Sequence, residues 1–206
     1  MVKKTIKVGA DPFPPYQYFD TDGNIQGSDY RHVKTLFESL GYEISITLKE
    51  WSDIEKMIDE RLLDAAFQVQ KNTEREGKYA FSSLLRNAET QVLTSKQSLT
   101  LDSMQDLVLQ KCTIGLIEGY AYGNEIDCLP SANKKFYLSN LELLLGISNG
   151  EVDVGCFDKG VKEYLMEQNG INNIYSLDNL NFIRPLYVIF HDTCLRDEFN
   201  SALDAE

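Results

Sequence analysis

Stretches with the two-residue period of a strand alternate, along almost the whole chain, with stretches that have the three-to-four-residue period of a helix. That alternation restricts the fold to layered α/β architectures. Ile6 to Ala10 is a short apolar strand that runs straight into Asp11-Pro12-Phe13-Pro14-Pro15-Tyr16. The prolines there fix φ and remove amide donors, so neither a helix nor a central strand can continue, and a rigid loop must follow. Asp22-Gly23-Asn24 is a tight-turn signal, and Asp29 is placed to cap a helix whose apolar face is Val33, Leu36, Phe37 and Leu40, ended by Gly41. Ile44, Ile46 and Leu48 alternate with polar residues as a half-buried strand; Ser52 or Asp53 then caps a helix with Ile54, Met57, Ile58 and Leu62 inward. Ala65 to Val69 is a further strand, Lys71 to Asn87 reads as loop-rich, and Gln91 to Leu93 opens another strand.

A second series follows. Asp106 to Leu109 reads as a short helix, Thr113 to Leu116 as a strand, and Gly119 to Gly123 as a glycine-flanked loop before a helix through Cys128. Leu141, Leu144 and Leu145 belong to a helix ended by Asn149-Gly150, Val152 to Phe157 is a strand, and Val161, Tyr164 and Leu165 mark a helix ended by Asn169-Gly170. A strand at Leu186 to Phe190 and an incipient helix from Leu195 close the chain. No low-complexity linker separates the two series, and no internal repeat is visible. Two lobes between which the chain crosses fit this better than beads on a string.

Composition narrows the partners. The 206 residues carry 20 Lys+Arg against 32 Asp+Glu, a formal charge of -12. Phosphate-backbone binding needs a basic face, and the densest basic runs are only Lys3-Lys4 and Lys134-Lys135, so nucleic acid and anionic membrane surfaces are excluded. A hydrophobic content of 43% with 11% aromatics excludes a disordered chain. No apolar run approaches the roughly 18 residues of a membrane span. Met1 to Lys7 has the positive flavour of a signal n-region, but Asp11 interrupts it before an apolar core forms, so the chain is either cytosolic or lacks a signal or anchor cut away earlier. Cys112, Cys128, Cys156 and Cys194 match no zinc or redox spacing and are expected to be reduced, buried small hydrophobes.

Several chemistries lack their residues. No P-loop and no Gly-x-Gly-x-x-Gly follows a strand, so no nucleotide cofactor is expected; there is no Gly-x-Ser-x-Gly elbow either. With only His32 and His191, nucleophilic triads have few candidates and no metal-ligand cluster is visible. His32 is expected at the surface of its helix. His191 ends a strand and either faces a cleft or is solvated.

Three segments in order carry a resemblance. The first is Asp11-Pro12-Phe13-Pro14-Pro15-Tyr16-Gln17-Tyr18 followed by Gly27-Ser28-Asp29. The second is Trp51, Asp64, Asn72-Thr73-Glu74-Arg75-Glu76 and Tyr79-Ala80-Phe81-Ser82. The third is Gly115-Leu116-Ile117-Glu118-Gly119 with Asn149-Gly150-Glu151-Val152-Asp153-Val154-Gly155-Cys156-Phe157-Asp158. Together they resemble the bacterial extracellular solute-binding proteins that serve polar amino-acid ABC transporters, over nearly the whole chain. The resemblance implies a two-lobed α/β fold of the type II periplasmic-binding-protein kind. Lobe 1 would be residues 1–91 plus 186–206, lobe 2 residues 92–185, and the two crossings a hinge.

The same resemblance implies roles. Arg75 would grip a ligand carboxylate bidentately, with backbone N–H groups near Gly119 assisting, and Asp158 from the opposite lobe would hold the ammonium. Read without the family, Arg75 could be a surface arginine paired with Glu74 or Glu76, and Asp158 an ordinary cap for the helix that follows. Phe13, Tyr16 and Trp51 match positions that sandwich ligand side chains, though such loops also simply pack onto cores. Asp11 either faces the cleft mouth or ends its strand.

Departures from the pattern are as telling. Gln68-Val69-Gln70 stands where a backbone glycine and a small hydroxyl are usual; two residues apart in an extended segment, Gln68 and Gln70 would point to the same side and both enter the cleft. Tyr120 replaces the usual Thr after Gly119 and narrows the pocket. The implied ligand is a small polar zwitterion or a related acid or amine. The end at Ala202-Leu203-Asp204-Ala205-Glu206 stops short of the family's final segment, as a truncated product or a sensor domain cut from its membrane helix would. The implied function is non-enzymatic capture of that ligand, as a monomer outside the cytoplasm, for a membrane permease. The alternatives are the ligand-sensing domain of a membrane receptor of the sensor-kinase type, or a periplasmic cyclohexadienyl dehydratase-like enzyme using Asp11 or Glu118.

Overall fold

The structure is a computed structural model that describes residues 4–205; the basic Met1 to Lys3 and the final Glu206 lie outside the described residues. The chain opens with β1 (Thr5–Ala10), the short hairpin strands β2 (Tyr18–Phe19) and β3 (Ile25–Gln26), α1 (Ser28–Ser39), β4 (Glu43–Leu48), α2 (Trp51–Asp59), β5 (Ala65–Val69), α3 (Thr73–Lys78) and β6 (Ala80–Phe81). It continues through β7 (Arg86–Thr94), α4 (Met104–Leu109), β8 (Ile114–Ile117), α5 (Asn124–Asp127), β9 (Lys134–Tyr137), α6 (Asn140–Ser148), β10 (Val154–Asp158) and α7 (Lys159–Asn169). It closes with β11 (Tyr175–Ser176), β12 (Phe182–Phe190) and α8 (Thr193–Leu203). Two compact units result: Met1–Asn87 with Pro185–Glu206, and Ala88–Arg184.

In the first unit the strands run β4-β1-β5-β12, with β6 on β12. β1 is parallel to both neighbours, Val8 lying opposite Ile46 on one side and Ala65 on the other. Its alternation divides the helices. Ile6, Val8 and Ala10 share a cluster with Val33, Leu36 and Phe37 of α1 and Leu195 and Phe199 of α8, whereas a Cβ on Gly9 would meet Leu63 at 2.5 Å and Ile54 of α2 at 3.1 Å. Phe37, Phe190 and Phe199 form the aromatic centre of the first cluster, with ring centroids 5.0–6.4 Å apart. β5 is irregular: its register against β12 shifts, and Gln68 has φ 67.

In the second unit the order is β7-β10-β8-β9, with β11 on β7. β10 is antiparallel to β7 and parallel to β8. Gly115 and Gly155 sit opposite each other on β8 and β10, and added Cβ atoms would strike Leu143 at 2.3 Å and Ile147 at 2.6 Å. These two glycines give α6 a flat seat. Val92, Leu107, Ile114, Leu116, Val154 and Cys156 fill a cluster that includes Met104 of α4.

Several local expectations are corrected. Asp29 does not cap α1: the cap is Gly27, and the first-turn amides of Asp29 and Tyr30 donate to the carbonyl of Tyr16 at 3.0 and 3.1 Å. α2 is capped at Glu50 rather than Ser52 or Asp53, and Leu62 falls beyond its end, 51% exposed. The stretch 71–87 holds α3 and β6 rather than loop alone, because Asn72 caps a turn of helix through Arg75 N. All four cysteines are free, but only Cys112 and Cys156 are buried; Cys128 and Cys194 are exposed. No described helix is long and apolar enough to cross a membrane.

Candidate functional site

In the first unit Asp11, Phe13 and Tyr16 lie on the loop after β1, Trp51 opens α2 after β4, and Gln68, Gln70 and Arg75 run from the end of β5 into α3, all at the carboxyl ends of strands, where open α/β sheets place ligands. The proline loop is held from within. Phe13 N donates to Gln17 O at 2.7 Å, the Gln17 amide donates to Asp11 O at 3.1 Å, and the Phe13 and Tyr16 rings stack at 5.8 Å. Asp11 and Phe13 are buried and Tyr16 is half-buried.

Arg75 is 5% exposed, which sets aside the surface-arginine reading. Its Nε and one terminal nitrogen both reach Glu55 Oε1 at 3.1 Å, and the other donates to Gln70 O at 3.3 Å. The guanidinium lies 4.9 Å from the centroid of the Trp51 ring. Glu55 is therefore its anion, while Glu74 pairs with Lys78. Two side-chain polar atoms of these neighbouring residues, Trp51 Nε1 and Gln70 Oε1, are buried with no partner among the described residues. One is a donor and the other an acceptor, and buried polar atoms ordinarily find partners.

Gln68 does not behave as a strand residue. With its backbone in the left-handed region at a register shift, the alternation that would align it with Gln70 is interrupted. Its amide nitrogen donates to Asp29 and, at 3.4 Å, to Gln17 Oε1, and its oxygen accepts from Arg86 at 3.1 Å. Arg86 Nε donates to Asp29 at 2.7 Å while its guanidinium rests 3.8 Å from the centroid of the Tyr16 ring. Burial pushes the Asp29 carboxyl above its ordinary range, and Arg86 offsets this only in part. Gln17, Asp29 and Arg86 were not among the expected site residues. The Gly27-Ser28-Asp29 string was the available signal for Asp29, whereas nothing local marks Arg86.

In the second unit Asp158 ends β10, 1% exposed, and its Oδ1 accepts from the amides of Gly160 at 2.9 Å and Val161 at 3.4 Å. It does cap the following helix, as its composition suggested. Gly119 follows β8 with φ 78, and the neighbouring amides turn inward: Glu118 N donates to Tyr137 O and Tyr120 N to Ile117 O. Those two amides are thus committed within the unit. The half-buried Tyr120 lies 6.1 Å from Tyr122 by ring centroids. His32 and His191 are both half-buried, and His191 is hydrogen-bonded to Ile58 O at 2.6 Å. No group of residues that could hold a metal is present among the described residues. A cavity of about 340 Å³ lies between Lys4, Arg61, Asp64 and His191 and takes in none of the expected site residues.

The fold is that of the type II periplasmic binding proteins. A TM-score of 0.86 over 100% of this chain and 93% of the other relates it to an ancestral arginine-binding protein bound to arginine, at 19% identity. A histidine kinase sensor domain with similarity to periplasmic binding proteins gives 0.89 at 16% identity, covering 98% of this chain and 90% of the other. The chain belongs to the bacterial extracellular solute-binding proteins, family 3, whose model matches residues 6–205. Among curated relatives, the L-cystine-binding protein TcyJ of Escherichia coli is 29% identical over 119 residues, 56% of this chain but 45% of that protein. TcyA of Bacillus subtilis, also named an L-cystine-binding protein, is 22% identical over 84% of this chain and 64% of its own length. The chain thus spans about half to two thirds of these relatives, which are named as binding proteins and not as enzymes.

Proposed function

We propose that this chain is a non-enzymatic binding protein for a small polar amino acid or related zwitterion, working outside the cytoplasm as a monomer that hands its ligand to an ABC-type permease. The observation that carries this reading is the setting of Arg75. Packed against Trp51 and steadied by Glu55 and the Gln70 carbonyl, it is a preorganised cation whose neighbours Trp51 and Gln70 hold, among the described residues, a buried indole donor and a buried amide acceptor without partners. A ligand carboxylate meets the cation and the indole N–H, and a ligand N–H meets Gln70 Oε1. Asp158 in the other unit supplies a buried carboxylate suited to an ammonium group. Asp11, Phe13, Tyr16, Gln68, Gly119 and Tyr120 complete the proposed set, with Gln68 acting through Asp29 and Arg86.

A thermal-shift screen of amino acids, amines and organic acids tests the proposal. A true ligand at 100 times its Kd adds about 2.7 kcal/mol of stability and raises the melting temperature accordingly. A flat response to every amino acid in the panel refutes it.

A further inference from the structure

Arg184, the last residue of the second unit, is 5% exposed. Its Nε donates to the hydroxyl of Thr90 at 2.6 Å, and its guanidinium lies 5.2 Å from the centroid of the Tyr122 ring. Both supports are themselves rigid. Thr90 is fully buried in β7, and Tyr122 is 4% exposed with its hydroxyl accepting from Ile117 N at 3.0 Å. A guanidinium has five N–H donors, and one of this side chain's is used. Among the described residues the two terminal nitrogens have no acceptor, and no carboxylate lies within ion-pair distance; neither nitrogen is sealed from solvent.

No neighbouring anion pairs with Arg184 among the described residues: Asp158, the carboxylate nearest along the sheet, accepts through Oδ1 from the amides of Gly160 and Val161. Burial keeps the Tyr122 hydroxyl and the Cys156 thiol neutral, the thiol pushed up to about 12, and Asp127 spends its oxygens on the amides of Tyr122 and Gly123. A cation this deeply buried, with a neutral hydroxyl and a ring face as its only partners, is a poor structural element. It is a good receptor for an oxyanion brought from outside, because the fork is fixed at Nε while its terminal nitrogens carry no protein acceptor among the described residues. Thr90 also pairs directly with Asp158 across the β7–β10 ladder, so the two side chains share a face about 5 Å apart at Cβ.

We infer that Arg184 is a specificity residue that receives a second carboxylate on the ligand, so that the chain favours acidic zwitterions over their neutral amides. This rests on the reading of the chain as an amino-acid-binding protein and deepens it.

Isothermal titration of the full chain with the acid–amide pairs glutamate/glutamine and aspartate/asparagine tests it. The acid is expected to bind at least tenfold tighter than its amide in one pair, and Arg184→Met to bring that ratio to within threefold of unity, chiefly through lost affinity for the acid. An amide that binds as tightly as its acid overturns this inference and leaves the amino-acid reading standing, as does an acid preference that survives Arg184→Met. No binding of any member of a full amino-acid panel overturns both. Should Arg184→Met fail to fold, Thr90→Val, which frees Nε, carries the test: the ratio falls at least threefold if the inference holds, and an unchanged ratio overturns it.

Discussion

Gly27→Ala tests the joint on which the proline loop rests. Gly27 caps α1 at φ 127, ψ 164, a region in essence open only to glycine, and any side chain there costs roughly 1–3 kcal/mol. The added Cβ would also stand 2.0 Å from Tyr16 O and 2.7 Å from Gln17 N. Backbone cannot be pushed aside as a side-chain tip can, so the loop must retreat, stretching the two amide bonds from Asp29 and Tyr30 to Tyr16 O, each worth about 1 kcal/mol. The total is about 3–5 kcal/mol, a fall in melting temperature of roughly 6–20 °C for a chain of this size. Gly23→Ala is the control: φ is 81 but nothing lies within 4 Å of an added Cβ, so only the backbone penalty of about 1–2 kcal/mol applies. Urea unfolding followed by circular dichroism gives both values. A Gly27→Ala stability within 1 kcal/mol of Gly23→Ala refutes the reasoning, since it would mean that the contact with Tyr16 carries nothing.

Three further outcomes are expected. Arg75→Ala weakens binding of any carboxylate ligand roughly 30-fold or more while the circular dichroism spectrum is unchanged, and unaltered affinity by calorimetry removes Arg75 from the site. Native titration with a thiol reagent labels Cys128 and Cys194 quickly and Cys112 and Cys156 only on unfolding; four fast thiols contradict the burial pattern. Asp153 is partly buried, which by itself raises its carboxyl, but Lys96 and the Thr113 donors outweigh this and hold it below the ordinary range. A depressed carboxyl stabilises above its unfolded value of about 3.9 and loses that contribution as pH falls through the folded one, so Asp153→Asn should show a flatter stability profile below about pH 4. Parallel profiles for the two proteins would rule this out.

The alternating α/β order was legible because apolar spacing reports burial directly, and α7, between Asp158 and the left-handed Gly170, could be read from its caps. Helix starts were less legible. Asp29 has the right chemistry for a cap, yet the backbone carbonyl of Tyr16, which no side-chain pattern announces, takes the role instead. Arg75 was identifiable from its motif, whereas its partner Glu55 was not, since twenty residues and a change of element lie between them. Arg86 and Arg184 carry no local pattern at all; each gains meaning only from the helix and the strand that bring Asp29 and Thr90 beside it. The expected pairing of Gln68 with Gln70 assumed an unbroken pleat, and a single positive φ removed that premise.

The way the chain is divided also orders events in time. The second unit is continuous from Ala88 to Arg184, so its contacts are complete once that stretch is available. The first unit is not: β12 joins β5, and Phe190 and Phe199 close the aromatic cluster around Phe37, only after about a hundred intervening residues have been made. On a ribosome the first unit therefore waits with an open core face while the second is synthesised and folds, and the last strand and helix act as its latch.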